Sequence, residues 1–253
     1  MVYIWIRATC DWSDEQAFLE QLDPDFEPLL ELWNDTFDMP YHRFRARVFE
    51  IARTNLAEVR GATVAEWDDI PDGALVMPTD DDDWFGPHAA ETLERVRRPG
   101  VEAYVWEASF AETPMSLGHR VYLTRRVLMP WWSPRWSCST NTYAMPKSEA
   151  RQEQLRHHMK ASARVDSAAP GEVLTLPDRL SLINRSIASR TQLAAGDRNR
   201  PSTPAELRRK LERYRRRYRR IDLSKTPWAE PHVAQMAELT DELQPRDWVE
   251  RRA

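Results

Sequence analysis

The sequence predicts an α/β fold, and three observations carry that prediction. Residues 2–6 (Val-Tyr-Ile-Trp-Ile) are a β-branched and aromatic run of strand length that leads straight into polar residues. Residues 74–78 (Ala-Leu-Val-Met-Pro) form a second short apolar run, closed by four aspartates at positions 80–83. Between the two, Phe44, Val48, Ile51 and Leu56, with Ala52 beside them, recur at helical spacing. Buried strands alternating with an amphipathic helix are the pattern of a sheet covered by helices.

The elements follow in order. Residues 2–6 are a first, interior strand, and Arg7-Ala-Thr leaves it at the edge where open α/β sheets bind ligands. Residues 23–37 and 41–59 are helices, the second the more regular. A strand then delivers the aspartates to its own end, and Pro87, suited to a first helical turn, opens a helix to about residue 98. Residues 101–110 and 119–127 have strand composition and are joined as a hairpin through 113–118. Residues 129–136, Met-Pro-Trp-Trp-Ser-Pro-Arg-Trp, are too aromatic and proline-broken for a regular element. They suit either a cover over a ligand or a plug at the core rim. Helices are expected over 148–163 and 176–193, and 195–204, full of turn residues, is a linker. Beyond it Leu207, Leu211, Tyr214, Tyr218 and Ile221 repeat in steps of four and three, opposite a bank of arginines. Thr203 and Glu206 have capping-box spacing at the start of this helix. The chain thus divides into a domain over 1–195 and a C-terminal helical extension over 196–253 packed on it.

Composition narrows the function classes. At 253 residues and 42% hydrophobic content the chain can bury a sizeable core. Its apolar runs fall far short of the roughly 20 residues that span a bilayer, and residues 1–20 lack a basic region followed by an apolar signal core, so a cytoplasmic protein is expected. Two cysteines, Cys10 and Cys138, cannot build a zinc cluster alone, and reduced thiols are the expectation. The net charge of -4 is uneven. Residues 208–220 hold nine Lys or Arg against the single Glu212, which leaves the rest of the chain strongly acidic.

The four aspartates are the most informative feature. As an isolated run they suit a solvated acidic turn. At the C-terminal end of a buried strand, oxygen-only side chains are placed to hold a hard cation such as Mg²⁺ or Mn²⁺, which bridges one or two carboxylates to a substrate's phosphates. Residues 75–87, Leu-Val-Met-Pro-Thr-Asp-Asp-Asp-Asp-Trp-Phe-Gly-Pro, resemble the strand, DxD motif and following aromatic-x-x-proline segment of GT-A glycosyltransferases. Residues 137–144 (with Asn141 and Tyr143) and 180–189 (with Asn184 and Arg185) are more loosely similar to later motifs of bacterial and phage glycosyl- or rhamnosyltransferase-like proteins. The first likeness covers about fifteen residues and the looser pattern about 2–193.

The resemblance implies a GT-A-like (Rossmann-like) fold: a mixed, mostly parallel sheet flanked by helices. It implies a Mn²⁺ or Mg²⁺ ion held by Asp80, Asp82 and Asp83 against the diphosphate of a nucleotide-sugar co-substrate, with Asp81 the variable position and the register free to slip by one. Family members often add a later histidine ligand, for which His157 and His158 are the available pair; about 100° apart on a helix, they cannot both face one ion. The Glu-Asp pair that supplies a base in many inverting members is absent. Glu107, Glu112, Glu149 and Asp166 are the acids left for that role, or ordinary surface acids. Asn141, Tyr143, Asn184 and Arg185 suit sugar hydroxyls or a pyrophosphate, or else tie loops together. Arg7, Arg43 and Arg47 are candidates for nucleotide phosphates, with surface ion pairs as the alternative.

Two rivals stay open at this point. Acidic clusters behind strands also serve metal-dependent nucleotidyl- and phosphotransferases. A non-catalytic polyanion-binding module would instead use the basic helix, through Arg208, Arg209, Arg213, Arg215, Arg216, Arg217, Arg219 and Arg220, which would likewise bring an acceptor glycan or DNA to an enzyme. If the helix only braces the sheet, its apolar seam is buried and its arginines are exposed.

Overall fold

The computed structural model describes residues 1–7, 12, 14–20, 24–106, 109–110, 135–138, 141–148, 163–166, 172–184, 186–189, 193–195 and 200–246. In chain order these form β1 (Val2–Arg7), α1 (Glu15–Glu20), α2 (Glu27–Thr36, entered through a 3-10 turn at Pro24–Phe26), α3 (Tyr41–Ala57), β2 (Ala62–Val64), β3 (Leu75–Asp80), β4 (Trp84–Phe85), α4 (Ala89–Val96) and β5 (Val101–Trp106). Then come β6 (Ser109–Phe110), β7 (Arg135–Cys138), β8 (Tyr143–Pro146), β9 (Ala163–Asp166), β10 (Glu172–Leu176), β11 (Ser181–Ile183), β12 (Ala194–Ala195) and β13 (Arg200–Pro201). Two helices follow, α5 (Pro204–Tyr218) and α6 (Glu230–Glu242).

The principal sheet has six strands in the order β10-β5-β8-β3-β1-β2. The pairs β1–β2, β1–β3 and β5–β10 are parallel, and β8 runs antiparallel to both its neighbours, so the sheet is mixed and mostly parallel. Side chains alternate across it except at the start of β5, where the ladder with β10 shifts register between Glu172 and Val173. Val2, Ile4, Leu75, Met77, Tyr104, Trp106 and Ala144 enter one apolar cluster with Leu93 of α4 and Leu56 of α3. Their neighbours Trp5, Val76, Val105, Tyr143 and Met145 enter another with Trp67 and Ile70. The largest apolar cluster lies among the helices, where Trp33, Phe37, Tyr41, Phe44 and Val48 pack with Leu207, Leu211, Tyr214 and Tyr218 of α5 and Val233, Met236 and Leu239 of α6. The seam of α5 is therefore buried, with Ile221 partly so. Thr203 caps it through the expected reciprocal box with Glu206.

Several expected elements differ. Within the helix expected over 176–193, residues 181–183 are instead a strand. Ser181, Leu182 and Ile183 are fully buried in extended β11, which pairs antiparallel with β4 and parallel with β6. Ladder partners on both sides override an apolar spacing too short to distinguish helix from strand, and Ser186 and Ser189 then favour the turn that follows. The expected linker is in part a two-stranded ribbon, β12–β13. The helix from Pro87 begins two residues later and ends at Val96. β5 pairs with β8 and β10; the other half of its expected hairpin, 119–127, lies outside the described residues, as do most of 129–136 and residues 149–162. At Ala163 the chain is extended in β9 where the expected helix would end. No helix among the described residues is long and apolar enough to cross a membrane.

Candidate functional site

The parallel register of β1 and β3 sets Arg7 beside Asp80 at the C-terminal edge of the sheet. There the chain leaves β3 in a tight turn, the Asp83 N–H reaching back to the Asp80 carbonyl at 3.4 Å, and returns as β4. This turn folds inward. Asp81, Asp82 and Asp83 are 7%, 8% and 3% exposed, while Asp80 is half-buried, so the acidic run is no solvated loop.

Buried carboxylates need partners, and each of the three has its own. Asp81 accepts a 2.6 Å bond from the Arg45 guanidinium and another of 2.6 Å from the Trp12 indole N–H. The same guanidinium reaches Asp82 at 3.3 Å and Ser186 Oγ at 3.4 Å, and lies 4.8 Å from the centre of the Trp12 ring. Asp83 accepts the backbone N–H of Asn184 at 2.7 Å. Asn184 in turn accepts the Tyr218 hydroxyl at 2.7 Å through its Oδ1. Arg217 also bonds Tyr218 and stacks 3.7 Å over the Tyr214 ring. Burial keeps the Tyr218 hydroxyl protonated well above the usual phenol range.

Electrostatics single out Asp82. Burial, opposed by Arg45 and reinforced by Asp81 and Asp80, pushes its carboxyl up to about 7. One guanidinium serves two acids here, and the more distant one is left poorly compensated. Around the acids, several buried polar atoms have no partner among the described residues: Arg45 Nε, Trp84 Nε1, Asn184 Nδ2 and both side-chain heteroatoms of Asn141. Asn141 is fully buried just ahead of β8. Because β8 runs antiparallel to β3 and β5, its first residue and Asn141 ahead of it fall at the edge where those two strands end.

The structure sorts the sequence-predicted residues. Asp80, Asp82, Asn141, Asn184 and the backbone of Arg7 gather at this edge, and Asp83 joins them as a hydrogen-bond acceptor for Asn184. Arg43 and Arg47 do not. Both are exposed on the outer face of α3, where Arg47 pairs with Glu242 of α6 and Arg43 adds to the charge that holds the Glu242 carboxyl below the usual range. The reason is helical phase, since Tyr41, Phe44, Arg45 and Val48 share the inward face and positions 43 and 47 fall on the other. Arg45 was the overlooked cation. Its signal was legible as an arginine inside an apolar stripe, a position that requires a buried acid. Arg185, His157, His158, Glu107, Glu112 and Glu149 lie outside the described residues, and Asp166 is described only as the end of β9.

The basic helix is corrected too, for its arginines are not all exposed. Arg217 is 4% exposed beneath Tyr214. Arg215 donates to the carbonyls of Thr240, Asp241 and Leu243, satisfying the C-terminal end of α6, and Arg219 bonds Asp241 at 2.7 Å.

Among the described residues no group of three His, Cys, Asp or Glu side chains is arranged to hold a metal ion. Asp81 and Asp83 accept short bonds from protein donors, Asp82 faces Arg45 at the longer distance of 3.3 Å, and Asp80 stands half-buried at the end of β3. Carboxylate oxygens of this kind are chemically suited to Mg²⁺ or Mn²⁺, which keep water and phosphate oxygens and need only one or two protein carboxylates. A scan against protein-family models gives no match to this chain, and a search of curated proteins gives none either.

Proposed function

We propose that the protein is a metal-dependent glycosyltransferase that moves a sugar from a nucleotide-sugar donor to an acceptor hydroxyl. The observation that carries this reading is Asp82, a buried carboxyl at the ligand edge of a mostly parallel sheet, raised to about 7 and only partly compensated by Arg45. A structural carboxylate is normally compensated by its surroundings; one left short of positive charge is suited to receive it from a ligand. Asp80 and Asp82 would hold the cation, which when bound neutralises charge on the departing nucleoside diphosphate. Arg45 keeps Asp82 aimed, and the Asn184–Tyr218 pair fixes Asp83 and so the shape of the turn. The side-chain amide of Asn141 and the Nδ2 of Asn184, without partners among the described residues, would supply hydrogen bonds for sugar hydroxyls. The resemblance of residues 75–87 to the DxD segment implies the same metal role for Asp80 and Asp82; it also implies one for Asp83, which here is bonded by the Asn184 N–H instead.

The test is a thermal-shift panel of nucleoside diphosphates with and without Mn²⁺, because a ligand of the folded state raises apparent stability. At least one diphosphate should stabilise the wild type only with Mn²⁺, and Asp82→Ala should abolish that shift while remaining folded. A variant that keeps the full Mn²⁺-dependent shift removes Asp82 from the site. Product analysis then separates this reaction from nucleotidyl transfer, since sugar transfer releases the nucleoside diphosphate and nucleotidyl transfer releases pyrophosphate.

A further inference from the structure

Exposure and helical phase divide the cations of α5. Arg217 is buried against Tyr214, Arg215 is half-buried on the carbonyls that end α6, Arg219 pairs with Asp241 at the surface, Lys210 bonds Ser202 Oγ at 2.8 Å, and the Nε of exposed Arg216 bonds the Glu212 carbonyl of its own helix at 3.2 Å. Arg209, Arg213 and Arg216, with Arg220 in the closing turn, are all exposed. Their spacing of four, three and four residues places them in one narrow stripe, directly opposite the buried seam of Leu207, Leu211, Tyr214 and Tyr218. The two acids of α5 flank this stripe, Glu212 paired with Arg215 at 2.7 Å and Glu206 in the capping box with Thr203. The result is a row of guanidinium groups about 16 Å long with no acid inside it.

We propose that this outer face of α5 docks the sugar-phosphate backbone of duplex DNA, independently of sequence. Arginine recognises phosphate with its planar fork, and a straight row of four suits a regular line of phosphates better than a single small anion. An anionic lipid surface is the poorer fit, because an interfacial helix buries its apolar side in the lipid, and here that side is sealed inside the protein. Among the described residues the exposed large hydrophobic side chains are Met1, Leu19 and Val64, none of them on α5. Single strands are held by stacking on aromatic side chains, and the two aromatics of α5 are both buried. A helix meets the phosphates that flank the wide major groove of B-form DNA, whereas the deep, narrow groove of duplex RNA excludes it. This inference stands apart from the reading of the acidic site.

The experiment is fluorescence anisotropy of the full chain with a labelled 30-base-pair duplex in about 50 to 200 mM salt, without nucleotide or metal. Four phosphate contacts give a log–log salt slope of about -3.6, so wild-type affinity should weaken roughly 150-fold over that range. The variant R209Q/R213Q/R216Q/R220Q should keep the wild-type melting temperature, bind about 100-fold more weakly at the lowest salt and lose most of the slope. A charge-matched control, R43Q/R53Q/R60Q/R95Q, removes four exposed arginines elsewhere and should keep at least half of the slope. The proposal is overturned if the wild type does not bind the duplex, or if the control loses as much as the α5 variant. Equal slopes in α5 variant and wild type overturn it too, as does tighter binding to phosphatidylserine vesicles, single strands or duplex RNA.

Discussion

Replacing Asp82 with Asn should make the protein more stable at neutral and alkaline pH, and the size of the gain follows from the site. The carboxyl faces Arg45 at 3.3 Å, with Asp81 and Asp80 adding negative charge and the Tyr218 hydroxyl nearby. Its pKa is displaced upward from 3.8 to about 7 by burial first and by its acidic neighbours next. A group raised on folding binds more protons in the folded than in the unfolded state. Its contribution is therefore intact below the unfolded value and is lost as pH rises through the folded one. The loss runs from about pH 4 to just above pH 7 and totals at most about 4 kcal/mol. Asn has nearly the same shape, keeps an oxygen for Arg45 and does not titrate. Urea unfolding of both proteins at pH 4.5, 6 and 8 should show curves that meet at the acid end and separate in favour of Asp82→Asn toward pH 8. At a scale of about 2 to 4 °C per kcal/mol, the full difference would be near 10 °C in Tm. Parallel stability curves, or a variant less stable than wild type at pH 8, would refute the assignment of Asp82 as an uncompensated acid.

Three further outcomes follow from the same packing. Arg45→Met strands Asp81 and Asp82 and should cost about 3–5 kcal/mol, part of which Asp81→Asn should restore; a double-mutant cycle in urea with no coupling between the two sites contradicts this. Leu211→Ala, at a fully buried position between α5 and the helices beneath it, should cost about 2–5 kcal/mol in the same assay, and a loss under 1 kcal/mol would mean the seam is not a core. His232 is held below its ordinary value by burial, against the pull of Glu58 at 3.5 Å, so its contribution to stability is complete above about 6.5 and is lost as pH falls below it. In a proton NMR titration its ring should stay neutral at pH 6.5, and half-protonation at that pH or higher counts against the neutral, Asn55-bonded imidazole.

The strands β1 and β3 were legible as unbroken apolar runs of strand length and the helices α3 and α5 as sustained helical periods, and Thr203 and Glu206 announce the start of α5 at fixed spacing. The same rule fails at β11, where three residues acquire their conformation from β4 and β6, neighbours that are remote in sequence. At the site, the position of the acids could be read from the strand before them. Their partners could not, since Trp12, Arg45, Asn184 and Tyr218 converge from four separate stretches of chain. Arg45 is the instructive case. Attention to charge alone favoured Arg43 and Arg47, whereas helical phase places only the arginine between them on the inward face.

The bond from Tyr218 to Asn184 has a consequence for how the protein is made. Asp83 takes its final hydrogen-bonded setting from a residue about 100 positions downstream, and that residue is itself held by one some 34 positions further on. A ribosome adding about 5–20 residues per second leaves Asp83 waiting roughly 7 to 27 seconds for Tyr218 to be synthesised. During that interval β1, β3 and Arg45 already exist, so a nascent chain can form the parallel pair and the Arg45 contacts while the return of the acidic turn into β4 is still unanchored. The emerging polypeptide therefore carries its aspartates in a half-built, wetter setting, and their burial is completed late. Ribosome-bound chains arrested before and after residue 218 should differ in protease sensitivity at this turn far more than at the strands on which it stands.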